Sequence, residues 1–145
     1  MKVMQQNILE EKDKNMLKLD NKLFVSWADI EGLVEELWKK IVIGSMPINS
    51  VHGLKRGGYI PAVMLSHQLR IPYSEVILKD TLVVDDICDS GETLKNAPGV
   101  YQAVLHYKPH TSCVAPTIWA KEVGDEWIVY PWERRDSRTI QDYKI

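Results

Sequence analysis

Cysteine is scarce in this chain, long apolar runs are missing and net charge is close to zero. Each shortage removes a class of protein. Cys88 and Cys113 are the two cysteines, too few and too isolated for a disulfide framework or a zinc site. No stretch approaches the roughly 18 apolar residues that a membrane helix needs. The N-terminus lacks the apolar core of a signal peptide, so a reducing cytoplasm is the expected location. A formal net charge of −2 argues against a broad nucleic-acid surface, which needs clustered Lys and Arg. His52, His67, His106 and His110 show no metal-ligand spacing and read as structural or surface residues.

What is present suits one globular domain. The chain has 145 residues, 45% hydrophobic and 26% charged, enough for a single good core. Residues 1–20 are polar and charged and read as an N-terminal extension without chemistry, leaving 21–145 as the domain. Leu23-Phe24-Val25 reads as a short strand. Ser26 then offers an N-cap, with Asp29 three residues on as a capping-box variant. Trp27, Ile30, Val34, Leu37, Trp38 and Ile41 recur at helical spacing and predict a helix that buries this stripe. Ile48 to Val51 and Ser74 to Leu78 read as further strands, and a helix opens near Pro61 and runs to about Leu69. A short helix after Thr93 stops by Pro98-Gly99, and strands follow at Val100–Tyr107 and Thr117–Ala120.

One stretch organises the rest: Leu82-Val83-Val84-Asp85-Asp86-Ile87-Cys88-Asp89-Ser90-Gly91-Glu92-Thr93. An apolar run bounded by turn residues reads as a buried, parallel strand. Carboxylates at its C-terminal end sit where open α/β sheets bind ligands. The turn beyond can aim backbone N–H groups at an anion, helped by the Ser90 and Thr93 hydroxyls and the freedom of Gly91. Acid beside a phosphate cradle implies a ligand with both hydroxyls and phosphate. Upstream, Lys55-Arg56-Gly57-Gly58 places two cations and two glycines at a strand end. Alone, such a turn is more often an ordinary surface turn.

The stretch resembles the 5-phosphoribosyl-1-pyrophosphate (PRPP) signature of type I phosphoribosyltransferases, with Cys88 where an aliphatic residue is usual. Next to it, Lys55-Arg56-Gly57-Gly58 resembles that family's pyrophosphate loop, which often holds a cis peptide, here between Lys55 and Arg56. Phe24-Val25-Ser26-Trp27, Lys108-Pro109, Trp127-Ile128 and Pro131-Trp132-Glu133 narrow the resemblance to bacterial-type xanthine-guanine and hypoxanthine phosphoribosyltransferases. It covers residues 23 to about 133.

The resemblance implies an α/β fold with a central parallel sheet flanked by helices. It also implies a small hood, mainly residues 108–133, to which residues 21–26 are candidates to contribute. It implies transfer of 5-phosphoribosyl from PRPP to N9 of a 6-oxopurine (guanine, xanthine or hypoxanthine), as in purine salvage. Asp85 and Asp86 would hold the ribose hydroxyls, directly or through Mg²⁺. Asp89 would handle the purine N7 proton as general acid/base. Ser90, Gly91, Glu92 and Thr93 would cradle the 5-phosphate, and Lys55, Arg56 and Gly57 would hold pyrophosphate. Lys108, Trp127 and Ile128 would read the base, which argues against a pyrimidine substrate. Trp132 reads more readily as packing, and Glu133 is a weaker candidate for a second metal. Relatives are usually homodimers or homotetramers, so a homo-oligomer is expected.

One departure bears on activity. Catalytic relatives usually carry a long flexible loop between the strand before the signature and the signature strand. Here only Lys79-Asp80 separates them. Losing that lid weakens water exclusion and favours hydrolysis of PRPP. A non-catalytic PRPP or nucleotide sensor is therefore the alternative reading.

Overall fold

The computed structural model describes residues 21–134. The expected extension at residues 1–20 and the tail after Arg134 lie outside the described residues. Four parallel strands form the sheet in the order β2-β3-β4-β5: β2 Ser50–Gly53, β3 Thr81–Cys88, β4 Tyr101–Tyr107 and β5 Ile118–Glu122. Helices α1 Trp27–Ile43 and α2 Tyr59–Leu69 flank it, and α3 Glu92–Asn96 follows β3. A separate two-stranded parallel sheet pairs β1 Lys22–Phe24 with β6 Trp127–Val129. Among the described residues no helix is long and apolar enough to cross a membrane.

The main core lies between the sheet and α1 and α2. Ile30, Leu37, Leu65, Leu82, Val84 and Leu105 are fully buried there. Burying each such side chain contributes about 1.5–3 kcal/mol. β3 is buried from Thr81 to Asp85, as a strand covered on both faces must be. A smaller cluster of Cys88, Leu94, Val104 and Tyr107 packs the far end of β3 against α3.

The start of α1 follows the expected chemistry: Ser26 Oγ accepts from Asp29 N–H, and Asp29 Oδ2 accepts from Ser26 N–H. Its stripe needs one correction. Ile30, Val34, Leu37 and Ile41 are buried, but Trp27 is half exposed. As the first residue of the helix it overhangs the core and tilts against Trp132, with ring centroids 6.0 Å apart.

A second correction concerns Ser74–Leu78, which is not a strand. A single bridge, Val51 to Tyr73, marks the sheet edge. Ser74 Oγ instead bonds both the carbonyl and the N–H of Val76, and a local side-chain bond of this kind competes with a ladder. The short connection to β3 leaves no room for a strand after this turn.

Candidate functional site

Parallel strands end on one edge, so β2, β3 and β4 deliver their following loops to a common rim. The pairs Gly53 to Val84 and Cys88 to Tyr107 fix their relative heights. The Lys55–Gly58 turn, the acids of β3, the turn after β3 and Lys108 therefore arise at neighbouring positions. The Lys55–Arg56 peptide is cis, as the resemblance implies. Both of these side chains are exposed.

Gly57 shows how tightly the first loop meets β3. A Cβ there would run into the Asp86 carboxylate, so it is glycine that lets this side chain rest against the loop. Asp85 is buried, and its Oδ1 accepts from Asp86 N–H at 2.9 Å. Asp86 is half-buried, and its Oδ1 accepts from Ile87 N–H at 2.8 Å. Asp85 thus anchors the strand end, while Asp86 faces the glycine loop. Oxygen donors of this kind suit Mg²⁺, which uses one or two carboxylates plus substrate phosphates and water. Among the described residues no three His, Cys, Asp or Glu side chains cluster to hold a metal unaided.

Beyond the acids the chain turns through Gly91, at φ +83°, into α3. A small pocket is lined by Asp89, Ser90, Gly91 and Thr93, with Ile87, Cys88 and Leu94 at its base. Ser90 Oγ accepts from Glu92 N–H at 3.3 Å. Glu92 and Thr93 are exposed. A Cβ on Gly91 would meet Ser112 Oγ at 2.5 Å, because the β4–β5 connection packs against this turn. Cys113 N–H donates to the Ser90 carbonyl at 2.8 Å. Cys88 Sγ lies 3.1 Å from Ser112 Oγ, and burial pushes its thiol up. A buried, protonated thiol fits the position where the family usually has an aliphatic residue.

Lys108 is buried, with its ammonium 3.6 Å from Asp89 Oδ2. Thr111 Oγ1 donates to Asp89 Oδ1 at 2.9 Å. Asp89 is thereby held by two residues of the following loop. Nothing in the sequence pattern singled out Thr111 or Ser112, because the loop's course over the turn is a tertiary fact.

The other two base-reading candidates, Trp127 and Ile128, lie on β6. Trp127 N–H donates to the Asn21 carbonyl, and the Val129 carbonyl accepts from Val25 N–H. Strand alternation turns the Ile128 backbone groups to the opposite edge, while its side chain is buried in the core. Trp127 is half-buried, and its Nε1–H is buried with no hydrogen-bond partner among the described residues. Trp132 packs as expected, stacked on Tyr130 at 4.9 Å with the rings 4° apart. Glu133 Oε1 accepts from Tyr130 N–H at 2.9 Å, closing the turn after β6.

Sequence reasoning passed over Tyr130 and did not single out His106 from the other histidines. Both are buried. Tyr130 Oη donates to the Asp86 carbonyl at 3.0 Å and lies 2.8 Å from His106 Nδ1. Burial raises the phenol well above its ordinary range, with Asp86 and Asp85 adding to the effect. Burial lowers His106 to about 4, and Lys121 contributes in the same direction. The sequence signal was a polar residue at position 106 after the apolar run Ala103-Val104-Leu105.

No family model matches the chain. The xanthine-guanine phosphoribosyltransferase of Idiomarina loihiensis is 25% identical over a 146-residue alignment covering 79% of this chain and 88% of that protein. Among solved structures, the purine phosphoribosyltransferase of Pyrococcus horikoshii superposes with a TM-score of 0.67 at 28% identity, covering 83% of this chain and 99% of that one. A Neisseria gonorrhoeae protein solved with bound ppGpp gives 0.65 at 26% identity, covering 79% and 90%. The two named relatives are phosphoribosyltransferases, which are pentosyltransferases.

Proposed function

We propose, for a chain that has the type I phosphoribosyltransferase fold and resembles bacterial xanthine-guanine phosphoribosyltransferases, that it transfers 5-phosphoribosyl from PRPP to N9 of a 6-oxopurine. Pyrophosphate and a purine nucleoside monophosphate are the products. The observation that carries this reading is the contact of Asp86 with Gly57, which sets a ribose-binding acid against a loop bearing Lys55 and Arg56.

The transition state has oxocarbenium-like character, so positioning and charge stabilisation carry the barrier reduction. Asp85 and Asp86 hold the ribose hydroxyls. Ser90, Gly91, Glu92 and Thr93 bind the 5-phosphate, the Glu through its backbone. Lys55, Arg56 and Gly57 hold the leaving pyrophosphate. Mg²⁺, when bound with PRPP, supplies neutralising charge to the pyrophosphate. Lys108 donates to the exocyclic oxygen, and its 3.6 Å approach to Asp89 supports placing the N7 proton with that carboxylate. Trp127 stacks on the base as part of a hood made by β1 and β6, and the turned-out Ile128 backbone reads its edge. The working protein is a homodimer or homotetramer of the cytoplasm.

The short connection that leads into β3, residues 74–80, favours a second reading, a PRPP or nucleotide sensor that regulates a partner without turnover. The Neisseria neighbour with bound ppGpp supports a phosphorylated guanine nucleotide as its ligand. Pyrophosphate release is measured with PRPP, Mg²⁺ and each of guanine, hypoxanthine, xanthine and adenine. Turnover with any 6-oxopurine eliminates the sensor. Nucleotide or PRPP binding without turnover eliminates the enzyme.

A further inference from the structure

We propose that Tyr130 is a positioning residue whose hydroxyl fixes the peptide unit that aims the Asp86 carboxylate. It thereby ties β6, which carries Trp127 and Ile128 assigned above to the base, to the acids assigned to the sugar. The inference rests on the PRPP reading of the site.

Such a residue acts where the pairing of β3 becomes irregular. Gly53 to Val84 is the last pair between β2 and β3, and the Val84 carbonyl accepts from Leu54 N–H at 2.9 Å. Asp86 lies two residues further on. The alternation of β3 is broken around it: the Val84 carbonyl faces β2 but the Cys88 carbonyl accepts from Lys108 N–H on the β4 side, and the β3–β4 register omits an Asp86 pair. Tyr130 Oη donates to the Asp86 carbonyl at this irregularity, at 3.0 Å.

This bond does more than satisfy an acceptor. The amide is planar, so the Asp86 C=O and the Ile87 N–H move as one unit. That N–H donates to Asp86 Oδ1 at 2.8 Å, while Oδ2 lies against Gly57. Gripping the carbonyl therefore also fixes the donor that orients the carboxylate. Tyr130 is itself over-determined. Its ring stacks on Trp132, which meets Trp27 at the start of α1, and its N–H is held by Glu133.

Hydrogen-bond bookkeeping extends the chain by one residue. The phenol has one hydrogen, and Asp86 accepts it. The 2.8 Å contact with His106 then requires Nδ1 to donate. His106 is thus the Nδ1–H tautomer, and it orients the Tyr130 hydroxyl from β4. The order of control runs from His106 to Tyr130 to the Asp86 peptide to the carboxylate.

The test uses the full chain with Mg²⁺ and PRPP, combining calorimetric binding, steady-state kinetics and thermal unfolding. Tyr130→Phe keeps the stacked ring and removes the hydroxyl. It should raise both Kd and KM for PRPP about five- to tenfold while kcat stays within about threefold, the size expected for losing one hydrogen bond. His106→Asn places an amide N–H near the Nδ1 position and should keep PRPP affinity within about twofold of the wild type. His106→Gln places its amide further out and should behave like Tyr130→Phe. Unchanged PRPP affinity in a folded Tyr130→Phe protein overturns the inference alone. So does equal PRPP affinity in the Asn and Gln variants, which also decides the matter if Tyr130→Phe does not fold. A wild-type protein that fails to bind PRPP overturns the substrate reading, and the inference with it.

Discussion

The Lys108 ammonium and the Asp89 carboxylate stand 3.6 Å apart with both side chains largely out of water. One group comes from the end of β4 and the other from the turn after β3. Lys108 N–H donates to the Cys88 carbonyl, so backbone and side chain tie these two strand ends together. In the proposed reaction one group meets the purine oxygen and the other its neighbouring N7. Their pairing before substrate arrives keeps both charges compensated in a half-buried site.

Asp89→Asn should lower kcat by about 10²–10⁴-fold, the usual contribution of a general acid/base, and change PRPP affinity far less. It also leaves the buried Lys108 without its counter-charge, so thermal stability should fall. Steady-state kinetics with calorimetric PRPP binding checks the split. A loss of affinity as large as the loss of turnover would move Asp89 from catalysis to binding.

Lys108→Ala should weaken 6-oxopurine binding by about 10- to 100-fold, the range of a lost charged hydrogen bond, and spare adenine. Base affinity measured with PRPP analogue present reads this directly. Unchanged guanine and hypoxanthine affinity would remove Lys108 from its role.

Gly57→Ala places a methyl 2.0 Å from Asp86 Oδ2, so the loop or the acid must shift. PRPP affinity should fall at least about tenfold, with far-UV circular dichroism unchanged because both segments are at the rim. Wild-type affinity in this variant would show that Asp86 and the loop do not act on one ligand.

His106 gives the fold a pH dependence. Its pKa is lowered from 6.5 to about 4 in the folded chain, so between these values the unfolded state binds more protons. Its contribution is fully present above pH 6.5, falls as the pH drops toward about 4, and is flat below. The full loss is on the order of 3 kcal/mol. Lys121, Asp29 and Lys108 are the charged groups acting on it, Asp29 in the opposing direction. Urea unfolding of the wild type and His106→Asn at pH 7 and pH 5 should show a stability drop in the former that the latter lacks. Parallel pH profiles would refute it.

Much of the site could be read in advance because its residues are clustered in sequence. Asp85 to Thr93 is one strand end and one turn, and Lys55 to Gly58 is another turn. The errors came where local pattern and tertiary need diverged. Val76, Ile77 and Leu78 look like a strand, but the Ser74 hydroxyl captures the Val76 backbone, Thr81 Oγ1 accepts from Leu78 N–H, and the connection to β3 is too short. Trp27 keeps the helical spacing, yet as the first residue of the helix it is half exposed and tilts against Trp132.

The amino-acid sequence by itself determined the parallel strand at Leu82–Val84, the capped helix from Ser26 and the acid-then-glycine turn. Each rests on periodicity and on backbone preferences that act over a few residues. Tertiary structure alone decided that Asp86 rests on Gly57, that Thr111 and Lys108 hold Asp89, and that Tyr130 reaches 44 positions back to the Asp86 carbonyl. Such contacts depend on strand order and on where β2 ends relative to β3, and no local preference encodes either.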